Sequence, residues 1–488
     1  MRWSKVAVAG AFAALAPCAG CVSVGPDYAA PRVETPPVYP GAPEQGLPAR
    51  SDWWRIFGVA ELDAIIAEAI LASPSLAEAD ASLDAAQAAR DAAFGGLLPR
   101  ADASVGAERT RINAAAFGFD GFPTREISRY TASVGISYDL DLFGGGRRAR
   151  EAASARFEAE AFRRDAARLT LVADIVSAAI EIAALLEEER VLQAIVEDDQ
   201  LTLQLVERAL RAGAVAEIDR LRARTQLAQD SADLPRLRAR IQAAQTELAI
   251  LMGRTPGLSA GARFALDDFR LSQAPASVPS DLLRARPDIR AAEAALHAAT
   301  ADIGVRVANL YPQVRLSGNY AQTSLDPETL FQYSSAGWGL GPSISAPLFN
   351  GGALRADVRR AEADARRADA RYRATVLRAF GQVIDAYSAL AAAESESAMV
   401  DETVALAIEN LRLSRRAYEV GAGAIPDVLD AQRQANLARR TQVRATASHL
   451  LALARLHGSL AQPQNGDEQV TEERDAAALG LREAKLLL

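Results

Sequence analysis

Three separated stretches of this chain recur a little over two hundred residues downstream, so its fold must be built from two similar units. "LLPR" at Leu97–Arg100 returns as "LYPQ" at Leu310–Gln313, and "DLFGGG" at Asp141–Gly146 returns as "PLFNGG" at Pro347–Gly352. "RALRAGAVAEIDRLRARTQ", Arg208 to Gln226, returns as "RAYEVGAGAIPDVLDAQRQ", Arg416 to Gln434. A repeat of this length is larger than a solenoid unit and reads as a tandem duplication.

Each copy opens on an Ala-rich helical stretch, Glu61–Phe94 and Asp288–Leu310, that ends at the proline of "LxP". A prolyl ring lacks the amide donor and disfavours helix in the residue before it. The apolar period then shifts from 3.6 to 2. In the first copy the apolar positions are Ala101, Ala103, Val105 and Ala107, then Tyr130, Ala132, Val134, Ile136, Tyr138 and Leu140. In the second they are Val314, Leu316, Gly318 and Tyr320, then Trp338, Leu340, Ile344, Ala346 and Leu348. Intervening positions are small or polar, among them Asp102, Ser104, Ser133, Ser137, Arg315, Ser317 and Ser343. Segments of about ten residues with one apolar and one polar face are the pattern of a transmembrane β-barrel, although a soluble hairpin on a core shares it. The connections Arg109–Arg129 and Gln322–Ala336 read as loops. Four strands cannot close a membrane barrel, whose smallest members have about eight. Several chains must therefore contribute, and two, three or four copies satisfy the arithmetic.

After each hairpin comes a long stretch of helical period, about Arg147–Ala212 and Ala353–Val420, nearly free of Pro and Gly. At ~1.5 Å per residue each spans on the order of 100 Å, and amphipathic helices of that length pack as coiled coils. Gly213 and Gly421 end them, and return helices follow over about Ile218–Met252, with Pro235 marking a point for a kink, and Pro426–His457. No later segment reads as a transmembrane helix.

The chain begins with Arg2 and Lys5 before an apolar run from Val6 to Leu15, the shape of an export signal. The two cysteines, Cys18 and Cys21, are spaced C-x-x-C inside it, where a redox pair has no folded setting. "AGC" matches the end of a bacterial lipobox, with Cys21 acylated, although Cys18 stands where the box usually carries Leu. With Cys21 lipidated and Cys18 removed, no thiol remains for a disulfide, a zinc ribbon or a nucleophile. His297, His449 and His457 lie in Ala-rich helical stretches without H-E-x-x-H spacing, and no P-loop or G-x-S-x-G is present. A formal charge of −8 leaves no basic footprint for nucleic acid. No catalytic site, metal or cofactor is expected beyond the lipid on Cys21.

"GCVSVGPDYAAP" (Gly20–Pro31), "DWWRIF" (Asp52–Phe57), "SPSLAEADASL" (Ser73–Leu83), "PSDLLRARPDIRAAEAAL" (Pro279–Leu296) and "YEVGAGAIPDVLDAQ" (Tyr418–Gln432) together resemble the TolC-like outer membrane factors. The likeness is to their lipoprotein branch serving tripartite efflux pumps of the resistance-nodulation-division type. It implies an α-helical coiled-coil barrel joined to a transmembrane β-barrel, assembled as a homotrimer with twelve strands. It also implies a periplasmic adaptor (membrane fusion) protein, an inner-membrane pump of that type and outer-membrane lipid as partners, with small toxic compounds as cargo. An exit duct for secreted proteins has the same architecture, and a lipid-anchored coiled-coil scaffold without a pore is the alternative of another class. Of these, the scaffold has no need of alternating strands.

The resemblance carries three residues as a gate at the periplasmic tip: Asp427, Leu429 and Asp430. Rings of aspartate around one axis favour cations. Asp427 equally suits a first-turn acid that stabilises the helix dipole beside Pro426, as does Asp219 in the first copy. Some relatives carry Arg where this chain has Gly423. The organisation expected is a signal peptide over 1–20, an anchor and extended segment over 21–59, repeats over 60–257 and 281–460 with hairpins at 100–142 and 312–349, an equatorial linker over 258–280 and a tail over 461–488. Trp53 and Trp54 are expected to pack on that equatorial layer.

Overall fold

The structure, a computed structural model, describes residues 23–31, 52–112, 125–257, 261–272 and 286–460. Cys18, Cys21, the 258–260 and 273–285 stretches and the tail from 461 lie outside these residues. Two units divide the chain: one holds Leu83–Glu160 and Ala292–Tyr372 with the stretch 23–31, the other Ala161–Ala291, the 52–82 stretch and the chain from Arg373.

In the first unit, β1 (Arg100–Ile112), β2 (Arg125–Leu140), β3 (Gln313–Ser324) and β4 (Ala336–Ser345) form one antiparallel sheet in the order β1-β2-β3-β4. The register places the alternating apolar series on one face: Ala103 opposite Val134, Val134 opposite Tyr320, and Tyr320 opposite Trp338. Leu316, Ile136 and Leu340 extend the same face. Among the described residues this face is left open, with Trp338 82% and Leu340 81% exposed. The other face is tied by polar cross-strand pairs, Ser104 with Ser133 at 2.8 Å and Arg315 with Asp139 at 2.5 Å. The strands are longer than the alternating segments at one end: β1 runs to Ile112 and β2 starts at Arg125, inside the stretch read as a loop. Arg109 pairs with Glu126 at 2.6 Å, and Arg129 with Glu108, so charged partners carry the ladder past the apolar core of the hairpin. β4 stops at Ser345, short of Ala346 and Leu348.

The stretch after Cys21 is fixed to the helix-proximal end of this sheet. Val24 N donates to the Phe143 carbonyl at 3.1 Å. Arg148, buried, bonds the Val24 carbonyl at 3.3 Å, Asp27 at 2.5 Å and Glu151 at 2.8 Å. Tyr28 stacks on His297 at 4.5 Å, and Gly25 passes so close to Gly304 that a Cβ on it would lie 2.5 Å from the Gly304 Cα.

The second unit is helical. The single stretch read over Glu61–Phe94 is two helices, α1 (Ala60–Ala72) and α2 (Pro74–Gly95). Ser73, held extended by the following Pro74, ends the first while the proline opens the second. α3 (Gly145–Arg211) and α6 (Ala353–Glu419) have 67 residues each, starting in the first unit and ending in the second. α4 (Glu217–Leu251) and α7 (Ile425–Leu460) are the return helices, and α4 runs unbroken through Pro235. α5 (Pro287–Ala308) precedes β3. One 18-residue window of α3 is apolar enough to cross a bilayer, with mean hydropathy 2.1, where the sequence reading had found none. Its neighbourhood supplies Leu171, Val172, Ile175, Val176 and Ile180 to the core, and 56% of the window is buried, as for a core helix. Trp53 and Trp54 are buried in a short 3₁₀ turn, with Trp53 parallel to His457 on α7.

Candidate functional site

The turns that join each long helix to its return helix are built twice on one plan. α3 ends where Gly213 adopts φ 74°, its amide bonding the Leu210 carbonyl at 2.9 Å and the Ala214 amide bonding Ala209 at 2.9 Å. Gly421, at φ 75°, bonds Tyr418 at 3.0 Å while Ala422 bonds Ala417 at 2.8 Å. These are left-handed C-caps, which glycine adopts without a Cβ penalty. Three residues on, the chain re-enters a helix. The acid at its third position turns back to the cap: Asp219 accepts from Ala216 N at 3.3 Å, and Asp427 accepts from Ala424 N at 3.2 Å. Each is half of a capping box, with its charge at the positive end of the helix.

The copies then diverge. Asp219 is buried and meets Arg222 at 3.3 Å. Asp427 is exposed, and so is Asp430. Asp430 accepts from Gln434 Nε2 at 2.9 Å and lies 3.6 Å from Arg433, an exposed pair of little energetic weight. Leu429 between them is half-buried and packs against a cluster of Val206, Ala223, Leu411, Ile425, Val428, Ala431 and Ala435. The three residues expected at a gate therefore sit together on the first turns of α7, two carboxylates outward and Leu429 partly inward.

A second feature, a polar ladder inside the helices, was not anticipated. Asp199 on α3, Asp230 on α4 and Gln432 and Asn436 on α7 are buried. Burial, reinforced by the charge of Asp230, pushes the Asp199 carboxyl up to about 7. Glu188, also buried, takes Arg444 at 2.5 Å and Arg440 at 3.4 Å. The available signal was Gln432 and Asn436 interrupting the apolar series Val428, Ala431, Ala435 and Ala438 one turn apart.

The "RPDIR" run is a tie. Arg286 donates to Asp288 at 2.8 Å, Gln382 at 2.9 Å and the Ser459 carbonyl at 3.0 Å, so it joins the start of α5 to α6 and α7. Among the described residues no group of three or more His, Cys, Asp and Glu is placed to hold a metal ion.

The model of the outer membrane efflux protein family matches residues 65–254 and 278–462. The chain belongs to that family. It is an outer membrane factor of the NodT-like branch, with the helical-barrel and β-barrel fold of TolC-like channels. The pyoverdine export outer membrane protein OpmQ of Pseudomonas aeruginosa is 28% identical over 426 residues, covering 87% of this chain and 90% of its own. Nodulation protein T of Rhizobium leguminosarum bv. viciae is 30% identical over 481 residues, 95% of each chain. The solved outer-membrane channel OprN superposes with a TM-score of 0.83 at 28% identity, over 90% of this chain and 99% of that one. As an outer membrane efflux protein, the chain accounts for both its uncovered apolar sheet face and its long helices.

Proposed function

We propose that three copies of this chain close one twelve-stranded barrel in the outer membrane and continue it as a helical duct, through which an inner-membrane pump of the resistance-nodulation-division type, joined by a periplasmic adaptor, expels small toxic compounds. The observation that carries this reading is the sheet: among the described residues it has one continuous apolar face without cover and two unpaired edges, β1 and β4. In hydrocarbon an unpaired backbone edge is untenable, so edges must join those of neighbouring copies. Strands of 10 to 16 residues meet the roughly 9–11 needed to cross a bilayer. The cargo is a small organic molecule, in keeping with OpmQ, whose name gives pyoverdine as its export substrate. The chain itself supplies no chemistry to the cargo.

The anchor is a diacylated or triacylated Cys21. Support comes from Val24, which bonds Phe143 at the helix-proximal end of the sheet. Cys21 stands three residues before Val24, within on the order of 10 Å of chain of the rim where the barrel would leave the membrane. Each buried methylene adds about 0.8 kcal/mol of membrane affinity.

The periplasmic end is closed by Asp427, Leu429 and Asp430 from the three copies, the aspartates forming a cation-selective ring and Leu429 a dry constriction. Opening moves α7 and its turn outward when the adaptor engages. Single-channel recording in planar bilayers tests this. Small cation-selective conductance is expected from the intact protein, with larger and less selective conductance after Asp427→Ala and Asp430→Ala together. Silence in both forms would remove the duct reading.

A further inference from the structure

The polar ladder inside the tip helices contains an unmet valence. Asp199 is 3% exposed, and its Oδ1 accepts from Gln432 Nε2 at 2.9 Å. Gln432 is itself fixed by Thr202, whose hydroxyl donates to its Oε1 at 2.9 Å. Asp230, also buried, accepts from Gln226 Nε2 at 2.6 Å and lies near enough for its charge to raise the Asp199 pKa. Asp199 Oδ2 is buried with no hydrogen-bond partner. An ionised oxygen buried without a donor beside a second carboxylate is destabilised, whereas a proton on it turns it into a donor and removes one of two like charges.

The charges around the pair are committed elsewhere. On α3, Asp198 is paired with Arg415 of α6 at 2.7 Å. On α4, Arg222 is held by Asp219 at 3.3 Å. On α7, Arg433 faces Asp430, and Arg440 lies 4.0 Å from Asp230 but 3.0 Å from Asp233 on α4 and 3.4 Å from Glu188 on α3. Arg444 completes the set on Glu188. No cation therefore sits on Asp199. A cavity of about 20 Å³ adjoins it, lined by Thr202, Gln226, Leu429 and Gln432 together with Arg222 and Arg433. That is room for one water, a path for proton exchange, and the two arginines make it a poor seat for a metal cation.

We propose that Asp199 holds a proton beside Asp230 and so makes the packing of α3, α4 and α7 just inside the tip sensitive to pH. With the proton in place the three helices are bridged by a closed chain of hydrogen bonds. Without it two like charges face each other in the core, and the helices carrying Ala223 and Leu429 separate more readily. Burial holds the Asp199 carboxyl near pH 7, so the switch falls between mildly acid and mildly alkaline periplasm. Between one pH unit below that midpoint and one above it, the doubly ionised fraction rises about tenfold. The coupling to opening rests on the gate reading above, whereas the proton on Asp199 does not.

Infrared titration of the full-length reconstituted protein from about pH 5.5 to about pH 8.5 reads the proton directly. A protonated-carboxyl band is expected that disappears with a midpoint near 7 and is missing in Asp199→Asn. A wild-type spectrum without a titrating band, or a band that keeps its midpoint in both Asp199→Asn and Asp230→Asn, overturns the proposal. If Asp199→Asn fails to fold, the wild-type titration and Asp230→Asn still decide. Planar-bilayer open probability over the same range reads the coupling: it should rise with pH in the wild type and in the Asp427→Ala, Asp430→Ala protein, and stay flat in Asp199→Asn. A titrating band with pH-independent opening overturns the sensor role. Loss of the gate reading shows separately, as an unchanged conductance when both tip aspartates are replaced.

Discussion

Acid should weaken the helical unit through one imidazole. His457, near the end of α7, is buried with its ring parallel to Trp53, centroids 6.5 Å apart and planes 5° from parallel. Burial pushes its pKa down to about 4, from the roughly 6.5 of an exposed histidine. The folded form therefore binds the proton less readily than the unfolded chain, and the neutral ring contributes its full stability above pH 6.5. That contribution is lost progressively as pH falls from about 6.5 towards about 4. A separation of roughly 2.5 units at 1.36 kcal/mol per unit is about 3 kcal/mol, a large part of a typical folding free energy. The assay is thermal unfolding of the detergent-solubilised protein followed by tryptophan fluorescence between about pH 4 and about pH 8. His457→Phe keeps an aromatic ring against Trp53 and carries no proton, so its acid destabilisation should be smaller by that amount. Carboxylate titrations are common to both proteins and cancel. Parallel losses in wild type and variant would refute the reasoning.

Three other outcomes follow from the geometry. Trp338→Arg places a charge on the exposed apolar sheet face and should cost about 2–4 kcal/mol per copy near the bilayer centre, whereas Ser104→Arg on the polar face should be tolerated; heat-modifiable migration of the assembled oligomer on gels distinguishes them. Gly421→Ala meets nothing within 4 Å but forces a Cβ into the left-handed region at φ 75°, so it should cost about 1–2 kcal/mol and raise amide exchange in the tip turn. Gly253→Ala has a similar φ of 70° but its Cβ would lie 2.3 Å from the Ala72 carbonyl oxygen, so its melting temperature should fall further than that of Gly421→Ala.

Much of the architecture was legible because it rests on local periodicity. The hairpins announce themselves by alternation, and the register then proves that all four segments put the same parity on one face, Val134 beside Tyr320 beside Trp338. The tip turns were legible from Gly213 and Gly421, and the capping role of Asp427 from its place in the first turn. The break at Ser73–Pro74 was hidden because the apolar pattern continues in phase on both sides of the proline. The outer parts of β1 and β2 were hidden because Arg109, Glu108, Glu126 and Arg129 look like loop residues singly and become a ladder only when paired. The Asp199–Asp230–Gln432 ladder is harder still, since it requires knowing which faces of three helices meet.

The duplication itself explains why the capping acid is exposed in only one of the two tip turns. With a shift of 208 residues, Asp219 aligns with Asp427, and Arg222 aligns with Asp430. In the first copy the i,i+3 pair is opposite in sign, 3.3 Å apart, and buries its acid. In the second the same two places hold like charges, which cannot pair and stay in solvent. The backbone is unchanged, because each capping acid still satisfies its own amide. One substitution of sign thus separates a structural turn from one with charge to spare, and reversing it is a direct test. Asp430→Arg should rebuild the first-copy pair on Asp427, leave the turn folded, and lower the cation preference of the reconstituted channel. An unchanged selectivity, with the variant folded, would mean that these carboxylates do not face the permeation path.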